Sequence, residues 1–132
     1  MTRRELRDQI FQLLFRTEFY DDADMQAQLS LYEEQQKENL GEEDLRYIVD
    51  KTKRILEKKD EIDEAINNAA VKWTTKRMGK VELAIIRLAC YEMRYDEEIE
   101  TAVAINEAVE LAKKYGQDMS PKFVNGVLAK LA

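Results

Sequence analysis

The sequence predicts an all-α protein made of two small helical bundles packed together. Three observations carry that expectation. Four glycines and one proline among 132 residues leave little material for many tight turns. Ala, Leu, Glu, Lys and Gln, all good helix residues, are common. Apolar residues recur over long stretches at the spacing of one helix face. With 45% hydrophobic residues the chain can fill a core, and its length suits one domain or two small subdomains.

Thr2 has the chemistry of an N-cap, so a first helix is expected from about Thr2 to Tyr20. Its stripe is Leu6, Ile10, Leu13 and Leu14, widened by Phe11. Asp21 and Asp22 break the pattern. A second helix is expected from about Asp24 to Glu38, with Met25, Leu29 and Tyr32 inward. Gly41 is a candidate C-terminal cap for it. A third helix begins near Glu42 and carries Leu45, Ile48, Val49, Thr52, Ile55 and Leu56.

The charged Lys58-Lys59-Asp60 run marks a break, and the boundary between subdomains 1–58 and 59–132 is placed there. Ile62, Ala65, Ile66, Ala69 and Ala70 resume the helical period. Trp73 to Gly79 reads as a short helix or turn, with Trp73 as a core plug. A long helix follows, with Val81, Ala84, Ile85, Leu88, Ala89 and Glu92 on one face. Arg94 to Glu100 is a charged loop. Gly116 ends the next helix after Lys113-Lys114, cations that suit the helix dipole. Ser120 and Pro121 open the last helix as N-cap and N1.

The composition excludes several functions. No histidine is present, which removes His-dependent triads and His zinc sites. The single cysteine, Cys90, sits in an apolar helical segment and reads as a buried hydrophobe in a reducing compartment. No phosphate-binding or dinucleotide-binding glycine loop appears. No enzyme, cofactor or metal site is therefore expected. No signal peptide or membrane-spanning run is visible, so a cytoplasmic protein is expected.

At a net charge of −6, the bulk field does not attract nucleic acid. Any contact needs a local basic patch. Residues 1–16 supply one: Arg3, Arg4, Arg7 and Arg16 stand against Glu5 and Asp8. Spacings of three and four put Arg3, Arg4 and Arg7 on one side of the helix. The arginine fork suits phosphate. The competing reading is a solvated face with pairs such as Arg4–Asp8. From Glu18 to Asp44, ten acidic residues face a single Lys37, so nucleic acid cannot favourably lie across that segment.

Two segments hold polar residues that a plain bundle does not need. Asn106 flanks Ile105 and Val109. Asn125 and Gly126 follow Phe123 and Val124. On a wheel, Val124, Val127, Leu128 and Leu131 form the buried stripe of the last helix. Phe123 lies to one side of it, Asn125 to the other, and Gly126 points away. Asn106 and Asn125 are expected to set register through hydrogen bonds at the stripe edge. Phe123, beside Lys122 and a helix N-terminus, is a candidate platform for a stacked base. Its alternative is packing under the preceding loop. Glu92 on an apolar face needs a partner, for which Arg87 is a candidate.

The chain resembles the bacterial NusB family in four blocks. They are Trp73-x-x-x-Arg77; Glu82-x-x-Ile85-Ile86-Arg87-Leu88-Ala89-x-Tyr91-Glu92; Val103 to Lys113, which reads VAINEAVELAK; and Lys122 to Leu128, which reads KFVNGVL. The opening Arg-Arg-x-x-Arg-Asp from Arg3 is similar to that family's arginine-rich start. The resemblance implies a NusB-like fold and a role in transcription antitermination. It implies binding of single-stranded boxA RNA in ribosomal RNA leaders, together with the small-subunit ribosomal protein NusE. Other Nus factors and RNA polymerase complete the implied assembly, and a homodimer of the free protein is left open.

Carried over by position, the resemblance assigns Arg3, Arg4, Arg7, Phe15 and Phe123 to RNA, and Glu82 to the ribosomal-protein contact; Lys122 joins the RNA set for its charge beside Phe123. The chain departs from the family pattern at Glu5, Phe15, Glu100 and Ala129. Two alternatives accompany this reading. One is a helical adaptor that binds only protein. The other is the same fold as the N-terminal domain of ribosomal RNA cytosine methyltransferases, disfavoured because the sequence stops at Ala132.

Overall fold

A computed structural model describes all residues, 1–132. It contains seven α-helices and no strand: α1 (Arg3–Phe15), α2 (Asp22–Gln36), α3 (Glu42–Glu57), α4 (Lys59–Ala69), α5 (Lys80–Tyr95), α6 (Thr101–Tyr115) and α7 (Ser120–Leu131). The all-α expectation therefore holds. The chain divides into two compact units, Met1–Leu56 and Glu57–Ala132.

In the first unit, α1 starts on a reciprocal cap. Thr2 Oγ1 accepts from the Glu5 N–H at 3.1 Å, and the Glu5 carboxylate accepts from the Thr2 N–H at 2.9 Å. Glu5 thus closes a capping box. Those hydrogen bonds to Thr2 hold its carboxyl below the usual value. Helix α1 ends earlier than its periodicity suggested. Arg16–Glu18 form a 3-10 turn instead, and the Thr17 hydroxyl donates to Leu14 O at 2.6 Å. Ile10, Leu13 and Leu14 are fully buried.

Gly41 does not cap α2. No glycine has positive φ, and Gly41 O instead accepts from Leu45 N, opening α3. On α3, Ile48, Val49, Thr52 and Ile55 are buried as expected, together with Lys51.

Lys58 alone separates α3 from α4. In the second unit α5 is the central helix. Ten consecutive residues, Leu83 to Glu92, are buried, and α5 packs against α4, α6 and α7. A helix buried all round must satisfy its polar side chains internally. Arg87 does so by forking onto Asp63 of α4, at 2.8 and 2.9 Å. Cys90 is completely buried, and burial pushes its thiol pKa up.

The connection from α6 to α7 is tight enough to exclude a side chain. A Cβ on Gly116 would stand 2.5 Å from Ser120 Cβ and 2.8 Å from Ala112 O. Ser120 is not the N-cap of α7; that position is Met119. The Ser120 hydroxyl turns back into the loop and accepts from Gln117 N–H at 2.9 Å. Its polar atom therefore fixes the turn before α7.

Candidate nucleic-acid interface

Two regions hold the residues expected to meet RNA. In the first unit, Arg3 and Arg4 are exposed on the first turn of α1, but Arg7 is only 8% exposed. The three arginines share a helix side in sequence, yet only two of them present a solvent-facing head. Asp8 accepts from Gln12 at 2.8 Å.

Phe15 is half-buried in a ladder of rings. It lies 6.2 Å from Phe11 and 5.3 Å, edge-on, from Phe19. Phe19 is 58% exposed, because the early end of α1 turns it outward.

The second region surrounds Phe123. On α7, Val124, Val127, Leu128 and Leu131 are buried, as the wheel required. Phe123 stands half-buried at the stripe edge and meets Trp73 in a T-shaped pair, with centroids 6.1 Å apart and planes at 87°. Trp73 is not a core plug. It is 45% exposed, and the Arg77 guanidinium lies 5.2 Å from its ring centre, in cation–π range.

The loop that carries Trp73 is held from both ends. Thr75 N–H donates to Asn67 Oδ1 of α4 at 2.7 Å, and Arg77 Nη1 donates to Lys72 O at 3.2 Å. Trp73, Arg77, Gly79, Glu82, Met119 and Phe123 are among the residues enclosing a cavity of about 240 Å³. Lys122 is exposed on the next residue of α7.

The structure therefore brings Phe123 and Glu82 into one cavity and adds Trp73 and Arg77. The signal for those two was in the sequence. Between Ala70 and Val81 stand Lys72, Lys76, Arg77 and Lys80, with no acidic residue, in a chain of net −6. Basic residues and aromatic rings are the two ingredients that single-strand binding combines.

The register-setting role expected of Asn106 and Asn125 is not found, since both are exposed. Gly126 is exposed too, with nothing within 4 Å of where its Cβ would project.

A family model described as the NusB family matches residues 4–132. The chain belongs to the NusB family. It is 48% identical over 132 residues, the full length of both chains, to the transcription antitermination protein NusB of Agathobacter rectalis. Among solved structures it is similar to T. maritima NusB, with a TM-score of 0.88 at 34% identity over 100% of this chain and 91% of that one. A crystal structure of antitermination factors NusB and NusE in complex with dsRNA matches with a TM-score of 0.79. It covers 98% of this chain and 94% of that one, at 24% identity, where the likeness speaks for the NusB fold alone. No helix is long and apolar enough to cross a membrane.

Proposed function

We propose that this NusB-family chain is a non-enzymatic transcription antitermination factor of the bacterial cytoplasm. It binds boxA-type single-stranded RNA of ribosomal RNA leaders together with the ribosomal protein NusE, in an assembly with other Nus factors and RNA polymerase. The observation that carries the reading is the Trp73–Phe123 pair, seated beside a loop rich in cations, in a chain whose relatives are antitermination proteins. Stacking on aromatic rings and charge along the backbone are the two ingredients of single-strand binding. The partner in this reading is the one a solved NusB holds in its crystal structure with NusE and dsRNA.

Arg3 and Arg4 supply phosphate contacts, with Arg7 behind them. Phe15 and Phe123 supply aromatic surface, and Lys122 adds charge beside the stack. The resemblance gives Glu82 to the ribosomal protein, and Glu82 shares a cavity with Phe123.

The test is binding of labelled boxA RNA, against a scrambled sequence, with and without NusE. Tighter binding of boxA in the presence of NusE supports the reading. No affinity for either RNA, with NusE binding intact, would leave a protein-only adaptor.

A further inference from the structure

We propose that the cavity beneath Trp73 and Phe123 is a reading pocket for one unstacked guanine base, with Glu82 as its specificity-determining acceptor; this rests on the RNA-binding reading above. A T-shaped pair leaves at least one face of Phe123 uncovered by Trp73, and a base can stack there. Arg77, already over the Trp73 ring, is placed to meet the phosphate of the same nucleotide.

The deciding group is the Glu82 carboxylate. It stands in the first turn of α5, where an acidic side chain often bonds back to the N-cap residue. The N-cap of α5 is Gly79, which has no side chain to bond. The Glu82 carboxylate lies over it, with Oε1 and Oε2 at 2.8 and 3.0 Å from where a Cβ would project. The bare glycine leaves it room to lie there.

An ionised carboxylate only accepts hydrogen bonds, through two oxygens side by side. Guanine is the base whose Watson–Crick edge offers two adjacent donors, N1–H and the N2 amine. Uracil flanks its one N–H with carbonyls, which a carboxylate repels. Adenine and cytosine place a single amine beside a bare ring nitrogen. A bidentate charge-assisted pair therefore selects guanine.

The test uses the full chain, alone and with NusE. Labelled oligouridylates carry one central guanosine, inosine, adenosine, cytidine or uridine. Guanosine should bind roughly ten- to hundredfold tighter than inosine, which lacks the N2 amine, or uridine. E82Q should erase that preference while leaving the salt dependence unchanged. The inosine comparison needs no variant, so a folding defect in E82Q does not blunt the test. Salt-dependent binding with equal affinity for all five oligomers would overturn the guanine pocket and leave RNA binding standing. No salt-dependent binding to any of them would overturn both. Retained guanine preference in E82Q, with weakened NusE binding, would return Glu82 to the partner protein and overturn the pocket.

Discussion

The start of α1 and the Lys72–Lys80 loop are both basic patches in an acidic protein, but they offer RNA different things. Helix α1 presents Arg3 and Arg4 on regular backbone that is capped by Thr2 and Glu5. In the proposed reading those side chains meet phosphate, which is the same at every nucleotide. The loop before α5 sets Arg77 beside two rings and a carboxylate, in a cavity of about 240 Å³. Phosphate, base plane and base edge can all be engaged there. Charge alone makes a patch that holds any strand; charge with shaped aromatic surface makes one that can choose.

The largest expected effect tests the shaped side. Phe123→Ala should lose about 1–3 kcal/mol of RNA binding with the salt dependence unchanged. Equilibrium titration at several salt concentrations reads both quantities. Because Phe123 is only half-buried, helicity and melting should change little. A matching loss of stability would move Phe123 to the core and break the contrast.

The next effect tests the charged side. Arg3→Ala with Arg4→Ala should flatten the salt dependence by about 1.4 log units of affinity per log unit of salt, from two phosphate contacts to a single strand. The loss should be the same for boxA and scrambled RNA. A sequence-dependent loss would show that α1 also reads bases.

A smaller effect concerns how α1 is held. Thr2→Ala should cost about 1 kcal/mol of stability in a thermal melt. Glu5 sets its pH window. Its folded carboxyl titrates below the ordinary value of 4.5, so its contribution is complete above that pH and is lost as pH falls through the lowered value. The gap between the parent chain and Glu5→Ala should therefore narrow on acidification. An unchanged gap would mean that Glu5 plays no part in the cap.

The smallest effect has the opposite sign. Gly126→Ala has open space for its methyl group and should stabilise α7 by about 0.5–1 kcal/mol. RNA affinity should not move. A loss of RNA binding would extend the interface from the cavity to the outer face of α7.

The fold was more legible than the site. Regular apolar spacing marked the buried stripe of α7 residue by residue, because the helical period alone decides which side chains share a face. The end of α1 was less visible, since Phe15 and Phe19 continue an apolar spacing while the backbone tightens into a 3-10 turn. Trp73 was misread for a related reason. A large aromatic usually fills a core, and only the backbone path of the Ala70–Gly79 loop shows that it stands outside. Ser120 has the composition of a helix cap, but a hydroxyl bonds to whichever donor is nearest, and that is Gln117 N–H. Asn106 and Asn125 belong to blocks that identify the family, yet their exposure gives them no packing role.

The turn after α6 has a kinetic consequence. At Gly116 the chain passes too close to Ser120 for even a methyl group. The start of α7, and Phe123 with it, is set by main-chain geometry before any ligand arrives. In the proposed reading an incoming strand finds its stacking surface already assembled and does not have to wait for the protein to rearrange. Its association rate should follow encounter frequency and ionic strength, and differences between RNA sequences should appear in how long each one stays.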